Sequence, residues 1–501
     1  MSTAAIERYG LRSAPTIAPA VAIAGFATLL FVRLLPNVGG KPLHEDEAVA
    51  GLISARPLGD VVHTVVLDRG GAPLHFLLAH VALAVDTSPS ALRWLSVVFA
   101  LATIPVCYDL ARRLAGHSAG ITAAALAATS QMLTIYGTFG RMYSLFAFTS
   151  ALAADAFVRA LERRTRRATL AAAVAALLPL AVHPFGAFLI GAEVLVGAAV
   201  WRGRAFRRAL PVLAVSLLAI PLLLADLRLT DRYSPEAGRD LDSGTSAANA
   251  ALRALGGAAG GYGAVLALFV VLAVVGAFIL GRDRPAAAAY AGLTVAVPPV
   301  VLTIAAAIGV TSDRLGPRHF IFVLPLWIGL VAVAASRVPT KVFPVALACV
   351  VGAAVLTPAA VSDPRNIPSG GKEAVAAPAA WLRSHLQRGD ALYPYSPVFL
   401  AALPNAAQAH ALPREPVALE RAARRMRDVP AVFISLPVHA SSSWLVLEAQ
   451  GPFPDGRKMV ASIARTLDRA SPAVHDTTAQ AYLQQLRGTA CAALTRLDSS
   501  C

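Results

Sequence analysis

The first long apolar run of the chain is IAPAVAIAGFATLLFVRLL, residues 17–35, and the tetrad His44-Glu45-Asp46-Glu47 follows shortly after it. About 20 apolar residues cross the hydrocarbon core of a bilayer as a helix, so residues 17–35 predict a membrane span. The tetrad is then expected where the chain leaves the membrane. Adjacent carboxylates repel one another unless a cation or a substrate compensates, so this acidic loop is either an ordinary solvated surface or part of a site.

Composition predicts the class of protein. The 501-residue chain is 56% hydrophobic and 15% charged, with a mean hydropathy of +0.62. Soluble domains carry roughly 25% charged residues, so we expect a polytopic membrane protein. The net charge of +15 does not indicate a nucleic-acid partner, because most arginines lie in short clusters between apolar segments, as in cytoplasmic loops. Zinc-finger spacings, a P-loop and a dinucleotide-binding glycine motif are absent from the sequence.

Placing the basic clusters in the cytoplasm gives a consistent topology of about eleven spans. Arg8 and Arg12 precede the first span, which predicts a cytoplasmic N-terminus and a retained anchor. Leu74–Val85 is apolar but too short to cross a bilayer, so we expect it to be interfacial or re-entrant. The other predicted spans are residues 91–110, 118–136, 143–160, 168–182, 185–200, 210–225, 262–280, 286–310, 320–335 and 342–360.

The chain changes character after residue 361, where charge and proline content rise. Helical patterns alternate there with strand-like patterns, which predicts a small α/β domain. These patterns are helical at 372–387 and 417–427, and strand-like at 390–395 and 431–436.

We therefore expect a transmembrane domain over residues 1–361, with its first external loop at 36–90, and an extracytoplasmic α/β domain over residues 362–501. Cys491 and Cys501 could form a disulfide outside the cytoplasm, and the sequence alone does not decide whether they do.

Polar residues on the predicted outer side gather in few places. Carboxylates collect in the first loop, whereas arginines and histidines lie at the ends of later spans. Charged groups near membrane depth tend to mark substrate paths. A carboxylate base with cations suits transfer of a group from a phosphate carrier to a hydroxyl, because the base takes the proton and arginines stabilise the departing phosphate. The candidate site residues are Asp46, Glu47, Arg141, Tyr143, His183, Arg314, Arg318 and His319.

Plainer interpretations stay open for these residues. Arg141 and Arg318 could be snorkelling arginines, Tyr143 could belong to an aromatic belt, and His183 could cap a turn. The competing class of protein is a multi-pass transporter or lipid flippase, although the internal repeats and mid-span charges typical of transporters are not evident.

Several short motifs occur in a fixed order along the chain. They are Asp46-Glu47, Gly71-Ala72-Pro73-Leu74-His75-Phe76, Tyr108-Asp109-Leu110-Ala111-Arg112-Arg113-Leu114 with Gly120, Gly140-Arg141-Met142-Tyr143-Ser144-Leu145, and Gly316-Pro317-Arg318-His319-Phe320. Together they resemble the GT-C superfamily of membrane glycosyltransferases, and within it the family-39-like protein O-mannosyltransferases and the bacterial aminoarabinose transferases. The resemblance covers roughly residues 15–335.

The resemblance implies a set of roles. Asp46 would be the general base that activates the acceptor hydroxyl. Glu47 beside it would either stabilise the local structure or bind the acceptor. Arg141 and Arg318 would contact the phosphate of a polyprenyl-phosphate-linked sugar, and the transfer would invert the anomeric centre.

It also implies that the enzyme works at the outer face of the plasma membrane, on a glycan, lipid or protein acceptor, with no required cofactor. His44 beside acidic residues leaves a bound divalent cation as an open alternative, and no metal ligand is assigned. Ala72 and His319 depart from the family pattern, where a proline and a tyrosine are usual, so the donor sugar is not predicted.

Overall fold

The computed structural model describes residues 17–39, 43–68, 72–88, 90–201, 207, 210–211, 214, 217, 220–221, 246–259, 261, 263–308, 315–339, 341–356, 372–395, 400, 409–439, 443–474 and 477–501. The chain divides into two compact units. One, here the helical unit, comprises Met1–Gly39 and Pro57–Ser362, and the other, here the sheet unit, comprises Gly40–Arg56 and Asp363–Cys501.

Helices dominate the described residues. In chain order they are α1 (Ile17–Gly39), α2 (Glu45–Ser54), α3 (Leu58–His63), α4 (Leu74–Val85), α5 (Ser90–Ala115), α6 (His117–Thr129), α7 (Gln131–Tyr136), α8 (Tyr143–Arg163), α9 (Arg166–Val182), α10 (Gly186–Val200), α11 (Ala247–Ala259), α12 (Ala264–Asp283), α13 (Pro285–Ala307), α14 (Leu324–Ala335), α15 (Phe343–Leu356), α16 (Lys372–His385), α17 (Pro416–Arg425), α18 (Gly456–Ala470) and α19 (Thr477–Arg496). A π-helical turn spans Thr64–Asp68, and 3₁₀ turns span Pro317–Val323 and Ser471–Ala473.

Six helices of the described part are long and apolar enough to cross a bilayer, judged by length and composition. They are Pro19–Gly39, Ser90–Ala115, Tyr143–Arg163, Ala264–Asp283, Pro285–Ala305 and Pro317–Ala335. The predicted count of about eleven spans is not confirmed. Helix α4 has the predicted bounds and remains a short apolar helix, and most of the predicted span 210–225 lies outside the described residues.

The predicted continuous span over 118–136 is instead two helices. Ser130 separates α6 from α7, because its backbone is extended (φ −58°, ψ 127°). The break leaves carbonyl groups at the end of α6 without helical donors, and Arg33 of α1 donates a hydrogen bond to the Ala128 carbonyl at 3.1 Å. Alanine-rich sequence around Ser130 carries no signal for such a break.

Small residues allow close helix packing in the helical unit. Helices α12 and α14 approach at Gly276, where an added Cβ would lie 1.9 Å from the Leu330 carbonyl oxygen. Only glycine fits at such a backbone approach, as is common between membrane helices.

The sheet unit has four described strands: β1 (Ala391–Tyr393), β2 (His410–Ala411), β3 (Arg427–His439) and β4 (Ser443–Asp455). Their order across the sheet is β2-β1-β3-β4, with β1 parallel to β2 and β3, and β3 antiparallel to β4. A small α/β sheet after the membrane helices confirms the predicted fold of this region. The strand β4 and the helices α18 and α19 were not predicted.

Both faces of this sheet are covered. Side chains alternate along a strand, so Val432 and Ile434 pack with α17, α18 and α19, while Phe433 packs with Leu382 of α16. We call the second group the Phe433 cluster. Its buried members are Ala379, Leu382, Leu386, Leu392, Leu400 and Phe433, with Leu52, Tyr395, Ala409, Ala431 and Val446 packed against it.

Candidate active site

The acidic tetrad lies in the sheet unit, at the start of α2. His44 is the N-cap residue: its backbone N–H donates to Glu47 Oε2 at 2.9 Å, and its Nδ1 accepts from the Asp46 N–H at 3.1 Å. This reciprocal arrangement is a capping box, which satisfies donors that a helix start otherwise leaves unpaired. Glu47 is completely buried, whereas the Asp46 side chain is 35% exposed. The two neighbouring carboxylates therefore differ in accessibility.

In the helical unit, α4 meets the turn between α7 and α8. His75, in the first turn of α4, is hydrogen-bonded to the Gly140 backbone. The guanidinium carbon of Arg141 lies 6.0 Å from the centroid of the Phe76 ring, at the limit of a cation–π contact. Two of the sequence motifs, 71–76 and 140–145, thus come together.

The turn that carries Arg141 is fixed by hydroxyl groups. The Ser96 hydroxyl of α5 donates to the Phe139 carbonyl at 2.7 Å, and the Ser144 hydroxyl donates to the Tyr136 carbonyl at 3.1 Å. These bonds hold the backbone on both sides of Arg141, so its position is set by packed helices rather than by a mobile loop.

The motif at 316–320 joins the same region. Arg318 is buried, and its guanidinium carbon lies 6.0 Å from the Tyr143 ring centroid. His319 has its ring centroid 6.4 Å from that of Tyr143 and 5.8 Å from that of His183. The Gly316 N–H donates to His319 Nδ1 at 3.1 Å, which orients the imidazole within its own turn.

His183 lies in the turn between α9 and α10, stacked on Phe146 with ring centroids 5.0 Å apart. Its Nδ1 accepts a hydrogen bond from the Phe185 N–H at 3.1 Å. The neutral imidazole therefore carries its proton on Nε2, which is a hydrogen-bond donor.

Burial and nearby cations keep two histidines neutral. Burial lowers the pKa of His75 to about 3, with a further contribution from Arg141, while the Gly140 backbone acts in the opposite direction. Burial also lowers the pKa of His183 well below its usual value, and His319, Arg141 and Arg318 add to the effect. The positive charge of the region therefore resides mainly on its arginines.

The opposite end of α8 carries an ion-pair network. Asp155 is buried and contacts Arg113 Nε at 3.0 Å and Arg159 at 2.6 Å. Glu162, about two helical turns further on, pairs with Arg113 and Arg284. Helix α8 thus has an aromatic and cationic region at its first residue and an ion-paired region at its last turns.

The predicted site residues divide between the units. Arg141, Tyr143, His183, Arg318 and His319 lie together in the helical unit. Asp46 and Glu47 lie in the sheet unit, and Arg314 lies outside the described residues.

Sequence reasoning missed the aromatic lining of the cluster and its second neutral histidine. His75 and Phe76 were noted only as part of a motif, and Phe146 and Phe185 were not singled out. The position of His75 in the first turn of a largely apolar helix was a usable signal, since a buried polar residue needs a partner.

No group of three or more His, Cys, Asp or Glu side chains with metal-binding geometry occurs in the described part of the chain. His44 Nδ1 is engaged by a backbone N–H.

Comparison with known proteins addresses the class of enzyme. A family model described as dolichyl-phosphate-mannose-protein mannosyltransferase matches residues 70–227, which include the motifs at 71–76, 108–114 and 140–145. The structure of ArnT from Cupriavidus metallidurans in the apo state is similar at a TM-score of 0.55 and 13% identity, covering 83% of this chain and 93% of that one. The chain is therefore similar to the GT-C glycosyltransferases, in its fold and in the family model that residues 70–227 match.

Two further GT-C structures have the same fold. The archaeal oligosaccharyltransferase AglB from Archaeoglobus fulgidus, in complex with an inhibitory peptide and a dolichol-phosphate, matches at a TM-score of 0.52 and 13% identity, covering 83% of this chain and 69% of that one. The arabinofuranosyltransferase AftD from Mycobacteria matches at a TM-score of 0.51 and 18% identity, covering 85% of this chain and 35% of that one. A search of curated protein sequences finds no match.

The GT-C-like fold and the six helices that could span a bilayer identify the chain as a membrane protein. The resemblance predicted from the short motifs is thereby confirmed, as is the predicted enzyme class.

Proposed function

We propose that this enzyme transfers a sugar from a polyprenyl-phosphate donor to an acceptor hydroxyl, with inversion at the anomeric carbon. Two comparisons support a lipid-phosphate donor. The description of the matching family model names dolichyl-phosphate-mannose, and the AglB structure contains a dolichol-phosphate. The acceptor is a glycan, a lipid or a protein hydroxyl, and nucleic acid is not a partner.

The observation that carries the proposal is the convergence of Arg141 and Arg318 around Tyr143 and His183. Guanidinium groups bind phosphate oxygens through paired, charge-assisted hydrogen bonds. The Nε2–H of a neutral His183 supplies a further donor without adding charge. A cluster of this composition favours a phosphate group with an apolar attachment, because aromatic rings supply the remaining contact surface.

Asp46 is assigned as the general base. In the transfer, the acceptor oxygen forms a bond to the anomeric carbon while the bond from that carbon to the phosphate oxygen breaks. The acceptor proton passes to the Asp46 carboxylate, and the electron pair of the broken bond leaves on the polyprenyl phosphate. Arg141 and Arg318 stabilise the charge that develops on this leaving group.

Glu47 is assigned a positioning role, because its carboxylate accepts the His44 N–H and is fully buried. This favours the first of the two roles that the resemblance allowed for it. Tyr143 and His319 are assigned to substrate contact beside Arg318, and Arg314 stays a prediction from the sequence.

The reaction is assigned to the outer side of the plasma membrane. The ion-paired arginines lie at the far end of α8 from Arg141, as expected if they face the cytoplasm. Cys491 and Cys501 form a disulfide, which favours an oxidising compartment for the sheet unit. The N-terminus is then cytoplasmic. The transfer step as proposed uses Asp46, Arg141 and Arg318 and requires no cofactor.

The test is sugar transfer in membranes supplied with a panel of polyprenyl-phosphate sugars. Asp46→Asn should lower kcat by about 10²- to 10⁴-fold, and Arg318→Gln should raise KM for the donor and lower kcat. The matched controls are the exposed residues Asp60 and Arg337, whose Asp60→Asn and Arg337→Gln variants should keep wild-type activity. Near wild-type transfer by Asp46→Asn would remove Asp46 as the base, and absence of transfer from every lipid-phosphate sugar would overturn the donor class.

A further inference from the structure

The segment that carries Asp46 folds with the distant end of the chain. Residues Gly40–Arg56 form one compact unit with Asp363–Cys501, although the helical unit separates them in sequence. A loop between two membrane helices would ordinarily pack on those helices, so this grouping requires a specific attachment.

The attachment is hydrophobic and lies on one face of the sheet. Leu52, near the end of α2, packs against the Phe433 cluster, to which Leu382 of α16 and Val446 of β4 also belong. Leu52 thus joins the cluster that α16 forms on one face of the sheet, while α17, α18 and α19 cover the other face.

Helix α2 connects this attachment to Asp46. Leu52 follows Asp46 by six residues in one continuous helix, a rise of about 9 Å at 1.5 Å per residue. The capping box at His44 and Glu47 keeps the first turn helical, so Asp46 moves with the rest of the helix. A displacement at Leu52 is then transmitted to the carboxylate.

We propose that the C-terminal sheet domain is a support for the catalytic loop: it positions Asp46 through the contact of Leu52 with the Phe433 cluster. Leu52 and Val446 are positioning residues in this proposal. The proposal rests on the assignment of Asp46 as general base, and it gives the C-terminal domain a role in turnover rather than a separate substrate site.

Hydrogen–deuterium exchange of the full-length protein in nanodiscs tests the attachment without reference to activity. Leu52→Ala and Val446→Ala should each raise the exchange of the amides of residues 47–54 by about tenfold, because local opening follows the loss of packing. Leu447→Ala is the matched control: Leu447 is a half-buried leucine on the neighbouring position of β4, and it packs on the opposite face. Its variant should leave exchange of α2 unchanged, and equal exchange in all three variants would overturn the proposal.

Steady-state kinetics tests the positioning role. Leu52→Ala should lower kcat by about tenfold to a hundredfold, since displacement of a catalytic group by about 1 Å has effects of this size, while KM for the polyprenyl-phosphate donor stays unchanged. Leu52→Met should keep most of the wild-type kcat, because methionine fills nearly the same volume as leucine in this contact. Unchanged kcat with faster exchange of α2 would show that the attachment exists but does not position the base.

Failure of the base assignment gives a different result. In that case Asp46→Asn keeps its activity, whereas the exchange of residues 47–54 still reports whether the sheet domain holds α2. The two hypotheses are therefore decided by separate measurements.

Discussion

The guanidinium carbon of Arg318 lies 6.0 Å from the centroid of the Tyr143 ring, so residues more than 170 positions apart in the sequence form one contact. Tyr143 begins α8, and Arg318 belongs to the 3₁₀ turn that leads into α14. Each lies at the end of a helix that is long and apolar enough to cross a bilayer. Arg318 is buried at this contact, so its guanidinium is largely shielded from bulk water.

The first prediction concerns this arginine. Arg318→Lys keeps the charge but loses the planar pair of N–H groups, so kcat/KM for the sugar donor should fall by about tenfold. In Arg318→Gln, which also loses the charge, kcat/KM should fall further. Tyr143→Phe keeps the ring and should retain most of the activity. These values come from initial rates of transfer at varied donor concentration, and equal rates for the lysine and arginine forms would contradict paired recognition of a phosphate.

The second prediction separates Glu47 from Asp46. Glu47→Ala removes the acceptor for the His44 N–H and should lower the free energy of unfolding by about 1 kcal/mol, as for other helix caps. Glu47→Gln retains an acceptor oxygen, so its thermal midpoint should stay close to that of the wild type. Thermal unfolding in detergent measures both variants.

Asp46→Asn provides the contrast, because it should affect turnover and leave the thermal midpoint nearly unchanged. A Glu47→Gln variant that keeps its stability and yet loses as much kcat as Asp46→Asn would show that Glu47 takes part in the chemistry.

The third prediction concerns the pH dependence of stability. His75 stays neutral in the folded protein down to about pH 3, whereas an unfolded histidine gains a proton near pH 6.5. Between these values the unfolded chain binds more protons, so the free energy of unfolding falls as pH falls, by up to about 1.4 kcal/mol per pH unit. The contribution of neutral His75 to the free energy of unfolding is therefore fully present above about pH 6.5.

His75→Gln should therefore flatten the loss of thermal stability between pH 7 and 5, where most carboxylates do not yet titrate. His63 is an exposed histidine of the same unit, and His63→Gln should leave the slope unchanged. Parallel slopes for the wild type and His75→Gln would exclude buried His75 as the source.

Sequence patterns predicted the bounds of a helix where a short apolar segment is enclosed by residues that end it. Helix α4 has the predicted bounds because Pro73 and Asp86 enclose a continuous apolar run. The motifs around Arg141 and Arg318 also indicated residues that the structure brings together. The break at Ser130 was missed, because it is stabilised by groups from other elements: Arg33 of α1 bonds the end of α6, and Ser130 itself bonds the Gly257 carbonyl.

The attachment of α2 to the sheet could not be predicted for a related reason. Leu52 lies in a short apolar stretch, residues 48–53, and its partners around Phe433 lie in the last third of the chain. Sequence periodicity predicts which face of an element is apolar, but it contains no information on which distant element covers that face. The grouping of Asp46 with the C-terminal domain follows only from coordinates.

The fourth prediction uses two helical glycines that differ in their surroundings. Gly276 faces the backbone of α14, where an added Cβ would lie 1.9 Å from the Leu330 carbonyl oxygen, whereas Gly292 of α13 has no atom within 4 Å of that position. Gly276→Ala should lower the free energy of unfolding by about 1–3 kcal/mol, because the backbones of α12 and α14 must separate. Gly292→Ala should raise it by about 0.5–1 kcal/mol, because alanine restricts the unfolded chain without a clash. Opposite shifts of the thermal midpoint in one detergent would establish that α12 and α14 meet at Gly276, and a stabilising Gly276→Ala would show that they do not.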